Sequence, residues 1–100
     1  SSGAHSLSGL IEAVDVIGKN VGILHCVSSY PAPLEDLNLS TIPLLQKIFD
    51  MPIGFSDHSF DPIQGPQVAV AVGAAILEKH ITIDRTLKGT DQSFAIEPNE

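Results

Sequence analysis

The sequence predicts an α/β fold with a parallel sheet, part of a (β/α)8 barrel. Three observations carry that expectation. Strand-like apolar runs alternate with helix-like runs along the chain, the pattern of parallel strands joined by crossover helices. The stretches Gly54-Phe55-Ser56-Asp57-His58 and Glu78-Lys79-His80-Ile81-Thr82 read as the ends of two buried strands with one helical run between them. That is a βαβ unit, whose two strands run parallel. Polar residues also gather at the C-terminal ends of three strands, the edge where barrels and open α/β sheets bind ligands. Three parallel strands alone leave two open edges. A whole barrel needs about 250 residues, so residues 1–100 are expected to form one piece of a larger barrel domain.

The elements follow in order. Residues 1–5 are small and turn-like, and Ser6 is the expected N-cap of a helix over 7–18. Leu10, Val14 and Ile17 share one face of that helix, and Gly18-Lys19-Asn20 stops it. Residues 21–27 are apolar and partly β-branched, a buried strand. It opens into Ser28-Ser29-Tyr30-Pro31-Ala32-Pro33, where two prolines force a loop. Asn38 is the expected cap of a second helix over 39–49, with Pro43 in its first turn, where a missing N–H costs least. Residues 53–55 form a second strand. A third helix is expected from 64 or 66 to about 73, apolar almost all round and so buried on several sides. Residues 75–80 make the third strand. The remaining tail is polar, with a helix start at Glu97-Pro98.

Composition excludes several classes. The net charge of −7 argues against a nucleic-acid partner, whose protein surfaces are usually basic. The longest apolar run, 68–77, is too short to span a bilayer, and no signal peptide is visible. The single cysteine, Cys26, cannot form an internal disulfide, which suits a reducing, cytoplasmic setting.

Side chains alternate along a strand. Cys26, Ser28 and Tyr30 therefore share one face, Ser56 and His58 another stretch of it, and Glu78, His80 and Thr82 a third; Asp57 and Lys79 point the opposite way. Adjacent strands lie about 4.8 Å apart, so His58 and His80 at matching heights can share one metal ion. A single strand-end histidine is usually a hydrogen-bonded structural residue, and His5 and His25 are read that way. Cys26 reads as a small buried apolar residue. Ser28 and Ser56 alternatively cap backbone groups, Glu78 pairs with a cation, and Asp84, Arg85 and Lys88 are solvated loop charges.

With these residues placed, the stretch His25-Cys26-Val27-Ser28-Ser29-Tyr30-Pro31-Ala32-Pro33, the two histidine stretches and the run Asp84-Arg85-Thr86-Leu87-Lys88-Gly89-Thr90-Asp91 together resemble the sialic acid synthase (N-acetylneuraminate synthase) family. The resemblance implies a TIM barrel, with this chain running from the end of the fifth strand to the eighth strand and the start of the last helix. The earlier strands and the family's C-terminal antifreeze-like domain lie outside these residues. The implied activity condenses phosphoenolpyruvate with an N-acetylated amino sugar aldehyde, such as N-acetylmannosamine, and releases phosphate. The implied cofactor is a divalent metal: Mn2+, Mg2+ or Co2+.

By position, the resemblance makes His58 and His80 the metal ligands. Glu78, on the His80 face two residues before it, is read from strand alternation as a catalytic-site group that orients a ligand, in preference to ligating directly. The resemblance makes Ser1, Ser28 and Ser56 contacts to phosphoenolpyruvate, and Tyr30 and Asp91 contacts to the sugar. Ser28 stands where some members have asparagine, and Lys88 and Thr90 stand where prolines are frequent. An ion on the aldehyde oxygen would act as a Lewis acid as the enol carbon attacks. The acidic segment implies that the lysines neutralising the phosphate come from other strands. A homodimer is implied for the full-length protein. Two other readings remain: a different metal-dependent aldol-type barrel synthase, and a non-catalytic α/β scaffold module of polysaccharide or spore-coat biogenesis.

Overall fold

The computed structural model describes residues 1–100. Its helices are α1 (Leu7–Ile17), α2 (Thr41–Ile48) and α3 (Gln64–Ala71), and its strands are β1 (Ile23–His25), β2 (Ile53–Asp57) and β3 (Leu77–Lys79). The sheet is parallel throughout, in the order β1-β2-β3. Ile23 pairs with Ile53 and His25 with Phe55; Ser56 pairs with Glu78 and Asp57 with Lys79. The α/β alternation and the parallel order are as the sequence predicts.

Ser6 caps α1 as expected, its Oγ accepting the Gly9 N–H at 3.2 Å. Gly18 ends that helix at φ 92°, a conformation that favours glycine. Leu10 and Val14 pack on the core, but Ile17 is 67% exposed and does not complete their stripe. Asn38 is not a helix cap. It sits at φ 49° with its side chain turned back onto Asp36 O, at the exit of a short 3-10 turn over Leu34–Asp36. α2 therefore starts at Thr41, after a lead-in turn closed by Thr41 N–H to Asn38 O.

One face of the sheet carries the apolar core. Ile23, Ile53 and Phe55 meet Ile42 and Leu45 of α2 and Ala69 of α3. At about 25 cal/mol per Å2, burying each of the isoleucine, leucine and phenylalanine side chains contributes on the order of 2 kcal/mol. His25 joins this face, its ring stacked on Phe55 and its Nε2 2.8 Å from Leu37 O, the structural role expected of it. Gly54 is required on the opposite face, because a Cβ there would lie 2.5 Å from Ile76 O.

Two expectations fail at the third strand and its helix. α3 buries only Gly65 and Ala69, leaving Val68 and Val70 about half exposed. β3 is short and its Leu77 is 46% exposed, so it is not a buried strand. β3 is an edge strand, and the outward sides of β3 and α3 have no further layer against them. The tail forms no helix. It returns along the extension of β3, with Ile96 N–H bonded to His80 O and Thr82 N–H to Ile96 O, and closes in one turn at Glu97–Glu100. No helix is long and apolar enough to cross a membrane.

Candidate functional site

The face of the sheet opposite the helices is polar toward its C-terminal end, and four elements meet there. His58 directly follows β2, the extension of β3 carries His80, the loop after β1 carries Tyr30, and the returning tail carries Asp91 and Phe94.

His58 is almost wholly buried and is held on both nitrogens. Nδ1 lies 2.6 Å from Val27 O, and a carbonyl can only accept, so Nδ1 carries the proton of that bond. Nε2 lies 3.2 Å from Ser56 Oγ. The Ser56 hydroxyl donates its one proton to Glu78 Oε1 at 2.7 Å. In a neutral ring the Nε2–Oγ contact then sets two lone pairs face to face, which a cation at Nε2 relieves. Backbone and side-chain partners thus leave one particular nitrogen of His58, Nε2, as the one whose lone pair a cation could take.

His80 stands across from it. The ring centroids are 5.6 Å apart and the rings are near-perpendicular. His80 Nδ1 faces Asp91 Oδ2 at 3.4 Å. This spacing suits two nitrogens sharing one ion bound about 2.1 Å from each. No group of three His, Cys, Asp or Glu side chains converges on one point. A cation held by the pair would keep open positions, the condition of a catalytic rather than a structural site. Two imidazoles suit Mn2+ or Co2+ well and Mg2+ less well.

The two imidazoles sit in an aromatic cradle. Tyr30 stacks on His58 at 4.3 Å between centroids. Phe94, which is buried, packs 5.2 Å from His80 and 5.8 Å from Tyr30. Tyr30 itself is 54% exposed, so its phenol is open to solvent at the mouth of the site.

Of the residues singled out in the sequence, Tyr30, Ser56, His58, Glu78, His80 and Asp91 come together. Glu78 reaches His58 through Ser56; it makes no hydrogen bond to its strand neighbour His80. Ser28 is exposed at the rim, two residues beyond buried Cys26. Cys26 Sγ accepts the Gly3 N–H at 3.1 Å, as a small structural residue. Ser1 is exposed, one residue before the Ser2 N–H that bonds Leu24 O at 2.8 Å, and it makes no hydrogen bond to Ser28 or Ser56.

Three features escaped sequence reasoning. Phe94 lies in a polar tail without periodicity, and only the returning backbone carries it onto His80. Arg85 is not a solvated charge. Its guanidinium bonds Ala95 O at 2.9 Å and Glu100, and lies 5.0 Å over the Phe60 ring. The opposed pair Asp57 and Lys79 forms a salt bridge of 2.8 Å; their opposite sign and matched strand positions were the available signal.

Two loop carboxylates outside this cluster are tuned by local donors. Asp61 takes the N–H groups of Gln64 and Ile63 at the start of α3, which lowers its pKa from the ordinary value. Thr86, through its hydroxyl and its N–H, lowers that of Asp84.

Known proteins share this chain throughout. A model described as the NeuB family matches residues 1–100. The N-acetylneuraminate-9-phosphate synthase of Homo sapiens is 42% identical over 104 residues, covering 100% of this chain and 29% of that protein. The N,N'-diacetyllegionaminic acid synthase of Campylobacter jejuni is 37% identical over 106 residues, again 100% of this chain and 31% of its own length. The crystal structure of the N-acetylneuraminic acid (sialic acid) synthetase of Leptospira borgpetersenii superposes with a TM-score of 0.91 at 48% identity, covering 98% of this chain and 35% of that one. The chain spans about a third of the length of each.

Proposed function

Because the chain belongs to the NeuB family, we propose that it supplies the metal-binding end of the active site of a sugar acid synthase. The enzyme joins phosphoenolpyruvate to an N-acetylated amino sugar aldehyde, giving a sialic-acid-type nonulosonate and inorganic phosphate. In this reading the chain runs from the end of the fifth barrel strand to the eighth. The full protein works in the cytoplasm as a homodimer.

The observation that carries the reading is the pair of imidazoles 5.6 Å apart, at the strand edge where barrel enzymes bind substrates. His58 Nε2 and His80 would hold a divalent cation, which as a Lewis acid would stabilise charge on the aldehyde oxygen. The chain's own side chains do the rest. Ser56 and Glu78 fix the His58 ring. Tyr30 and Asp91, at the mouth, bind and orient the sugar. Ser28 offers the phosphate a hydroxyl from the rim, and Ser1 a second; a bond from Ser56 would require it to release Glu78. Lys79 and Arg85 are committed to other partners, which leaves Lys88 of the 84–91 loop and strands outside this chain as the sources of charge that neutralise the phosphate.

The test is release of inorganic phosphate from phosphoenolpyruvate by the full-length protein, with the product identified by mass spectrometry. Release that requires both an amino sugar and a divalent metal supports the reading. Release without sugar, or none with any N-acetylated amino sugar, overturns it and leaves the scaffold or another aldol-type synthase.

A further inference from the structure

The helix-facing side of the same strands carries a charged assembly that the proposed chemistry does not use. Asp57 sits between Ser56 and His58, and Lys79 between Glu78 and His80; the two are register partners. Asp57 is 1% exposed and Lys79 12% in their side chains. The Lys79 ammonium makes three bonds: to Asp57 Oδ2 at 2.8 Å, Ser59 O at 2.5 Å and Asp61 O at 3.3 Å. Asp57 Oδ1 accepts the Ser59 N–H at 2.8 Å. Two carbonyls of the turn after His58 are thereby tied to one buried cation, and the Ser59 N–H to its counter-ion.

The turn in its place holds the mouth of the site. Ala32 N–H donates to His58 O at 2.9 Å, and Ala32 bridges Ser59, which fixes the loop that lays Tyr30 on His58. The backbone leading out of His58, the loop of Tyr30 and the strand leading into His80 thus share one anchor.

We infer that Lys79, with Asp57, is a positioning residue that sets the spacing of the two histidines from behind the sheet. The role rests on the reading of His58 and His80 as metal ligands. A side chain that touches neither substrate nor ion acts here through strand alignment, as the outer partners of metal ligands do, where loss weakens metal binding about 10–100-fold.

The experiment is calorimetric titration of the metal-stripped, full-length protein with Mn2+, beside its thermal melt. Variants are Lys79→Met, the double variant Asp57→Asn with Lys79→Met, and Lys79→Arg. The double variant removes the orphaned carboxylate and is expected to melt above Lys79→Met while still binding Mn2+ about tenfold or more weaker than wild type. That split separates positioning from bulk stability. Should Lys79→Met not fold, the double variant is judged by the same criterion. Lys79→Arg keeps the charge and fold but not the compact donor set, and is expected to weaken Mn2+ several-fold. Folded variants that bind Mn2+ within twofold of wild type overturn the inference. Wild-type protein that binds no Mn2+ overturns the metal reading itself, and this role with it.

Discussion

Ser56 and Glu78 are register partners on β2 and β3, and the serine hydroxyl donates to the carboxylate at 2.7 Å. The Val27 carbonyl puts the ring proton of His58 on Nδ1, and the Ser56–Glu78 bond keeps the serine proton away from the lone pair left on Nε2. Glu78→Ala is expected to lower both turnover and Mn2+ affinity about 10–100-fold. Glu78→Gln keeps an acceptor for Ser56 and should lose much less. Equal losses in both variants, read by steady-state kinetics and calorimetry, would assign the effect to the charge alone.

His58→Ala and His80→Ala should each reduce sugar-dependent phosphate release by at least about 100-fold, the scale seen when one stabilising group at a reaction centre is deleted. Chelation of the wild-type protein should abolish release, and Mn2+ or Co2+ should restore it. Full activity in either variant would sink the assignment of both rings.

Phe94 is buried at 1% exposure between Tyr30 and His80. Phe94→Ala should destabilise the protein by about 3–5 kcal/mol, the range for emptying a large core site. Phe94→Leu, which leaves a smaller void, should cost markedly less. Urea unfolding of both variants measures the difference.

At Gly54 a methyl group would stand 2.5 Å from Ile76 O and 2.6 Å from Leu24 Cδ2. Backbone cannot yield as a side-chain tip does, so Gly54→Ala is expected to cost about 1–3 kcal/mol or more. It should also disturb the β2–β3 register and therefore weaken metal binding. An unchanged melting temperature would contradict the packing described.

Acid should weaken the fold through Asp61. Its carboxylate accepts two backbone N–H groups at the start of α3, so its pKa in the folded chain lies below the ordinary 3.8. The ionised form is favoured more in the folded chain than in the unfolded one. Its contribution is complete above the unfolded value and disappears as pH falls through the lowered folded value. Asp61→Ala should lower the melting temperature at neutral pH and change it little near pH 2. A deficit of equal size at both pH values would show that the charge is irrelevant.

Much of this was legible from residue order. The helix from Ser6 to Gly18, three parallel strands and the shared face of Ser56, His58, Glu78 and His80 follow from local signals: a capping hydroxyl, glycine stops and the period of two. Asn38 was misread because a residue that caps helices also adopts the left-handed turn, and only tertiary packing chose between them. The burial expected of α3 and β3 rested on apolar composition, which states what can be covered and not whether a neighbour covers it. Phe94 and Arg85 were invisible because their partners lie in segments without periodicity, brought back by one short pairing of Ile81 with Ile96.

The back-face pair of Asp57 and Lys79 has a consequence for how the chain avoids a wrong alignment. Sliding β3 by one residue against β2 would exchange its two faces. Lys79 would then enter the polar cleft, Glu78 and His80 would turn toward the helices, and Asp57 would be left deep in apolar surroundings without a counter-ion. Removing one partner of a buried pair costs about 3–5 kcal/mol, enough to make the slipped arrangement a rare visitor. A lysine that never meets the substrate thus discriminates between two foldings of the same strand, and only one of them holds both imidazoles on the same side.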